Sequence, residues 1–470
     1  MATHGTQMAG ESLSEGLARL AADTPVADFP ASTVHAFRRA FIDYLACAFA
    51  GANLPVTEAL RGWAISQASR PVATAIGAGV GLSAPEAAFV NGAAAHGLDF
   101  DDGQTRGSVH PGGAIFSAAL AAAEREGARM DDFLAGVVLG YDVLLRIAGA
   151  MHPASAKLGW HNTPVAGVFG AAAAATRIAR LDAGITAHAL GIAASFSGGI
   201  RQYLAEGAEV KRLHPGKAAR DGLVCADLAA RGITGAIWCL EGDDGLFRAM
   251  IGDKADPSQI TDGIGAPFLI ETAYFKPFPC CRHFHAAIDA ALFLREAEKL
   301  ASSDIVGIEI GLYAVGAHGH DHKDAPNILA AQMSAPCAIA GALMKGRLGA
   351  ADFEPSEFDS PEARRLLDIT RVFVDAECEA IYPKTRSGVV ALTLADGRRI
   401  EKRVLDPRGE GSNPLTDTDL SRKFLDNADG VLGGDRAAQL LDLLWNADRG
   451  GDLAAIIGLL STSQGQGRAL

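Results

Sequence analysis

Apolar positions along the first half of the chain recur at helical spacing. In VHAFRRAFIDYLACAFAG, Val34, Phe37, Phe41, Leu45 and Phe49 return every three or four residues and Gly51 stops the run. This predicts an amphipathic helix capped by Ser32 and Thr33. Asp131 offers a cap for a second helix through FLAGVVLGYDVLLRIAGA, whose alanines and glycines predict close helix–helix approach. Ala-rich helices continue through AAAAATRIARL and AARDGLVCADLAARG. Near Pro267 helices begin to alternate with strands. Val306, Ile308, Ile310 and Leu312 then share one face at period two, and Asp396-Gly397 separates two strand-like runs as a hairpin turn would. After Pro407 the pattern returns to helix in AAQLLDLLWNA, and STSQGQGRAL reads as a disordered tail. The expected fold is mainly α: a large all-helical domain (1–267, completed by 408–470) and a smaller α+β domain (268–407).

The 470 residues are 49% hydrophobic, ample for a large core, and the net charge is −13. No long basic block stands out, so nucleic acid and anionic membranes are not expected partners. Asp142, Arg146, Arg177 and Arg180 interrupt or close the longest apolar stretches, which therefore read as buried helices and not as membrane spans. The start of the chain does not read as a secretory signal. Seven scattered cysteines without framework spacing predict a reducing cytoplasm, and no spacing suits an iron–sulfur cluster.

In an acidic chain, an anionic substrate requires a local concentration of positive charge. EVKRLHPGKAARDG supplies the densest: Lys211, Arg212, His214, Lys217 and Arg220, with His-Pro-Gly leading into a helix whose first N–H groups could face an anion. NGAAAHGLDFDDGQTRGSVHPGG places Asp99, Asp101 and Asp102 between His96 and His110 at the edge of an apolar body, where carboxylates need partners. The alternative there is a polar loop. His161 stands before a Gly/Ala-rich helix, where the helix terminus favours a neutral imidazole able to act as a base, and packing or capping is the alternative. In FKPFPCCRHFHAAIDA, Cys280, Cys281, Arg282, His283 and His285 crowd before a helix, but adjacent cysteines suit zinc poorly. His318, His320 and His322 alternate in AHGHDHKD. On a strand they would share a face, but the run reads better as a polar loop.

These segments, with the Gly-Trp-His of 159–161 and the MSAPCAIAGAL of 333–343, resemble the MmgE/PrpD family in content and order, from about Asn91 to Leu343. That family includes 2-methylcitrate dehydratase, cis-aconitate decarboxylase and iminodisuccinate epimerase. The resemblance implies an active site between a helical domain and an α+β lid, no metal or organic cofactor, and a homodimer. It implies catalytic roles for Asp99, His110, His161, Lys211 and His285, with Arg212 and His214 as neighbours, and Asp102, Thr105, Lys217 and Arg282 are further candidates for holding the substrate. One position departs: many members carry Thr or Ser after the paired acids, where this chain has Gly103, with Thr105 two residues on.

The expected chemistry is removal of a proton next to a carboxylate. His161 or Asp99 would take the proton, Lys211 and nearby N–H groups would hold the developing charge, and His110 or His285 would act as acid. A hydro-lyase acting on 2-methylcitrate is the leading reading. A decarboxylase or an epimerase on a related dicarboxylate is the alternative, and a non-catalytic anion binder is a more distant one.

Overall fold

The structure, a computed structural model, describes residues 10–461. Apart from Ser461 the C-terminal tail lies outside the described residues, as do the first nine residues of the chain. Helices dominate, in two bodies with separate cores. The first core runs from Leu17 to Phe275 and resumes at Leu415, and the second spans Phe278 to Leu394. The change expected at Pro267 therefore falls about ten residues later. Residues 268–275 still pack on the helical body, where Asp142 Oδ2 accepts from the Leu269 amide at 2.8 Å.

Missing side chains hold the bundle together. A Cβ on Gly92 would lie 2.6 Å from the Gly216 Cα, so the helices Ala84–His96 and Val210–Ala230 meet backbone to backbone. Gly140 and Gly170 do the same for Met130–Met151 and Asn162–Ile178, where added Cβ atoms would meet the opposite glycine carbonyl at 2.9 and 2.5 Å. Such approach gains dispersion contact over the whole crossing. The Gly92–Gly216 crossing also sets His96 against Lys211, each about one turn away along its own helix. Met130–Met151 is long and apolar enough to cross a membrane by length and composition alone, but it is buried throughout in the bundle. Its Asp142–Arg146 pair (3.1 Å) is buried with it, and Arg146 also donates to the carbonyls of Ile260, Asp262 and Gly263.

Three local expectations are corrected. The helix Ala31–Gly51 begins directly after Pro30, so Ser32 and Thr33 lie in its first turn, and Thr33 bonds Glu271. Arg129 precedes Met130–Met151, so Asp131 is inside the helix and accepts from the Gly450 amide. Val210–Ala230 begins before Lys211 and carries Pro215 inside it, so His-Pro-Gly does not open the helix.

In the smaller body the strand order is Thr370–Val374, Ile305–Leu312, Gly388–Leu394, Arg399–Val404; the first pair is parallel and the others antiparallel. Gly397, at φ +88°, forms the expected hairpin turn after Asp396. A register shift between Ile305 and Gly307 turns Ile305 inward and leaves Val306 exposed, while Ile308, Ile310 and Leu312 stay buried. The helical body is not purely helical: Ala73–Ala75 and Val80–Leu82 form a small hairpin. After the smaller body the helix Asp417–Leu432 returns to the first, where buried Lys423 bonds Asp43 (2.6 Å) and the carbonyls of Phe100 and Lys276.

Candidate active site

A cleft enclosing about 620 Å³ of empty space, part of it open to solvent, lies where the two bodies face each other. Asp99, Ser108, His110, His161, Arg201, Tyr203 and Lys211 come from the helical side. Cys281, Arg282, His283, His320 and Arg386 come from the smaller body, with Tyr274 just before the junction. Four cations and one carboxylate thus line a cleft in a chain of net charge −13.

That carboxylate is already neutralised. Asp99 Oδ1 accepts from Lys211 Nζ at 2.5 Å and Lys276 Nζ at 3.1 Å, and its carbonyl takes a second bond from Lys276 at 2.7 Å. Burial would raise its pKa, but the two ammonium groups hold it well below the usual carboxylate range. Asp99 sits at φ +51°, an uncommon conformation that turns the chain sharply after the helix Ala84–His96. Behind it, His96 links Asp101 to Lys211: Nδ1 lies 2.8 Å from Asp101 Oδ2, and Nε2 lies 3.2 Å from Lys211 Nζ. An ammonium can only donate, so His96 Nε2 accepts and Nδ1–H donates to Asp101.

Two guanidinium groups of the cleft have no salt-bridge partner among the described residues. Arg386 is buried and donates to the Tyr274 and Ser108 hydroxyls, both at 3.3 Å. Among the described residues neither Arg386 nor Arg201 has a carboxylate within 4.0 Å; Arg201 makes a 3.4 Å contact to the Ala156 carbonyl. Arg282 is held by Glu410 (2.9 Å) and the Arg408 carbonyl, and Thr105 donates to the same Glu410 at 2.7 Å. Burying unpaired guanidinium groups is costly unless an anion joins them.

Burial favours the neutral imidazole at His110, His161 and His214. His110 Nδ1 donates to the Asp102 carbonyl at 2.8 Å, leaving the lone pair on Nε2, and burial pushes its pKa down to about 3. His161, at the start of the helix Asn162–Ile178, meets His214 Nδ1 to Nδ1 at 2.8 Å. Burial and the neighbouring cationic groups hold His161 well below its usual pKa, and burial pushes His214 down to about 4.

Several expected site residues lie off the cleft. His285 is fully buried: Nδ1 accepts from Arg282 at 3.0 Å and Nε2 donates to the Cys280 carbonyl at 3.1 Å, so it orients Arg282. The short 3-10 turn Arg282–Phe284 presents His283 to the cleft in its stead. Lys217 is occupied by Asp221 and the Phe196 carbonyl, both at 2.9 Å, and Arg212 pairs with Glu209 at 3.1 Å. Asp102 lies beneath the cleft, taking bonds from Tyr141 (2.7 Å) and the Gly112 amide (2.9 Å); burial and Asp43 push its pKa up to about 8. Thr105 reaches Glu410 and not the cleft. The alternating histidines do not share a face: His318 is exposed, while His320 is buried against Cys281, because the chain forms a short helix at Ala314–Ala317 and then turns.

Arg201, Tyr203, Tyr274, Lys276 and Arg386 are cleft or near-cleft residues that no sequence motif marks as functional. Lys276 comes nearest, since it opens the KPFPCC segment. Arg386 stands alone before the strand Gly388–Leu394, with no local pattern to mark it. Gly103 has a structural cause. It exchanges backbone hydrogen bonds with Tyr274 at 3.0 and 2.8 Å, and a Cβ there would lie 2.3 Å from the Tyr274 hydroxyl oxygen. The Tyr274 hydroxyl thus occupies the space that a Thr or Ser side chain would need.

Two clusters bring three metal-competent atoms within 4.8 Å: His96, Asp101 and His110, and Cys281, His283 and His320. Lys211 and Lys276 stand beside the first, and Arg201 and Arg386 beside the second; these charges repel a cation, and no metal is assigned to either.

A helical body and a smaller α+β body thus face each other across a cationic cleft that also carries acid–base groups. The chain belongs to the MmgE/PrpD family, whose N-terminal domain matches residues 15–259 and whose C-terminal domain matches residues 278–448. It is 25% identical over 457 residues to a cis-aconitate decarboxylase-like protein of Aspergillus oryzae, covering 92% of this chain and 94% of that one. It is 26% identical to the cis-aconitate decarboxylase of Aspergillus terreus (92% and 93% covered). It is also 26% identical to that of Homo sapiens (96% and 95% covered).

Proposed function

We propose that this protein is a decarboxylase for a small unsaturated tricarboxylate of the cis-aconitate type. The observation that carries the reading is the cleft's charge: Arg201, Lys211, Arg282 and Arg386 face it, and two of them have no carboxylate partner among the described residues. The near full-length similarity to cis-aconitate decarboxylases favours this reaction over the 2-methylcitrate dehydration that leads the sequence reading.

In cis-aconitate the carboxylate on the saturated arm is β,γ to the double bond. When its C–C bond breaks and CO2 leaves, the electron pair spreads over three carbons into a remaining carboxylate. One proton must then be added to carbon. Lys211 and the guanidinium groups hold the retained carboxylates and stabilise the charge as it moves, and closure by the smaller body excludes water and strengthens these interactions. Asp99 serves as counter-ion and anchor for Lys211 and Lys276 and does not carry the proton, since it stays ionised.

The test is a substrate panel. Purified protein is incubated with cis-aconitate, 2-methylcitrate and citrate, with CO2 release and the organic acids followed by chromatography. CO2 and an unsaturated dicarboxylate from cis-aconitate alone support the proposal. Dehydration of 2-methylcitrate without CO2 release overturns it and restores the hydro-lyase reading.

A further inference from the structure

Decarboxylation consumes a proton, and the cleft has few groups that hold one near neutrality. The helical-side imidazoles are poor sources, because burial keeps His110 and His161 neutral, and His110 has already committed its Nδ1 proton to the Asp102 carbonyl. Asp99 is ionised.

The opposite wall is different. Cys281 Sγ lies 3.8 Å from His320 Nε2, within sulfur hydrogen-bond range, and both residues line the cleft. His320 Nδ1 donates to the Met333 carbonyl at 2.7 Å, which fixes the ring so that Nε2 is the nitrogen turned to sulfur. The Cys281 amide donates to the Gln332 carbonyl at 3.0 Å, so the same segment, 332–333, anchors both partners. The other six cysteines are buried, and Cys281 alone is partly open.

We propose that Cys281 and His320 form the acid–base pair that delivers the proton to the substrate carbon. The pair shares one proton between Sγ and Nε2. As the C–CO2 bond breaks, the Sγ–H bond breaks toward the carbon that was vinylic and a C–H bond forms there. This leaves a thiolate beside a neutral His320, and a proton from solvent restores the pair. The net change is one proton consumed for each CO2 released.

The surroundings fit this task. Burial alone would raise the thiol, but His320 and the His283 amide draw its pKa below the ordinary value, against the opposing charge of Asp99. Burial would lower His320, yet Cys281 raises it. Lys276, Tyr203, Tyr313 and Cys280 also face the sulfur, and of these Lys276 favours the thiolate left after transfer. By contrast Cys280, beside it in the chain, is fully buried against His285 and raised well above its ordinary range.

The proposal rests on the decarboxylase reading, so its test has one arm that needs no turnover. Iodoacetamide alkylation of the intact protein is followed against pH by peptide mass spectrometry. Cys281 is expected to be the labelled site, with a midpoint below the roughly 8.5 of a free thiol. His320→Asn should move that midpoint up, and tricarballylate, a saturated tricarboxylate, should slow labelling at least tenfold. A midpoint at the free-thiol value, unmoved by His320→Asn, or labelling indifferent to tricarballylate, overturns the pair. In the second arm Cys281→Ala should lower kcat on cis-aconitate by about 10²-fold or more with little change in KM, and Cys281→Ser should restore only part of it. Undiminished kcat in folded Cys281→Ala overturns the proton-delivery role. If wild-type protein fails to turn over cis-aconitate, the substrate reading falls, and the alkylation arm still decides whether the pair exists.

Discussion

Lys211 is held on one side by Asp99 and on the other by the His96–Asp101 pair, so its ammonium is fixed at the cleft wall before any ligand arrives. Preorganised charge of this kind needs no reorganisation when negative charge moves. Lys211→Ala is expected to lower kcat/KM by about 10²–10³-fold, the usual cost of removing one stabilising donor, with folding checked by circular dichroism. Gly103 tests a different point. Gly103→Thr would restore the hydroxyl residue that many relatives carry, but its Cβ would displace Tyr274 from the cleft wall. The expected result is a loss of about 10²-fold in kcat/KM through misplacement, and a gain in activity would show that the Tyr274 hydroxyl does not stand in for the missing one. At this scale the sequence was partly legible. Asp99, His110, His161, Lys211 and Arg282 were singled out from motifs and do line the cleft, whereas His285 was placed there and is not. His283 lies within the 3-10 turn Arg282–Phe284 and His285 opens the helix His285–Ala297 that follows, and no periodicity in the sequence records that change.

Elements succeed or fail here by their close contacts. The Gly/Ala content of the helices made the tight bundle readable, and the Asp-Gly turn made the hairpin readable. Helix starts were less readable, because Thr33 and Asp131 look like caps but find partners elsewhere in the fold, Glu271 and the Gly450 amide. The bulge that exposes Val306 is also a tertiary effect. The helix Asp417–Leu432 is tied to the first body by Lys423, whose removal would leave Asp43 buried without its partner. Lys423→Ala is expected to destabilise the protein by about 3–5 kcal/mol, measured by denaturant unfolding. A loss below about 1 kcal/mol would mean that the helix is held by its apolar face alone.

For the molecule as a whole, buried histidines set the acid limb of stability. His110 and His214 are held at about 3 and about 4, whereas an unfolded histidine titrates near 6.5. Between those values the unfolded chain binds more protons, so stability is lost as the pH falls from about 6.5 toward 4. Asp102 acts in the opposite sense. Its pKa, raised to about 8, means that the fold holds a proton the unfolded chain has released, so stability declines as the pH rises from about 4 toward 8. With several histidines against this carboxyl, the melting temperature is expected to peak near pH 6.5. Asp102→Asn should remove much of the alkaline decline, as scanning calorimetry across pH can check. The two-body plan was legible from the change of period, but the cleft's full charge was not. Arg201 and Arg386 lie 185 residues apart in the chain, and only the packing of the two bodies brings them to one site.

In the proposed reaction the cationic cleft removes CO2 from a small unsaturated tricarboxylate and adds a proton to carbon. The most direct measurement follows carboxylate-labelled [13C]cis-aconitate by NMR in D2O, with wild type and Lys211→Ala side by side. Wild type is expected to give labelled CO2 and bicarbonate and a dicarboxylate carrying one solvent deuterium at the carbon that was vinylic, with near silence from Lys211→Ala. Hydration, dehydration or deuterium exchange without release of labelled CO2 would contradict it.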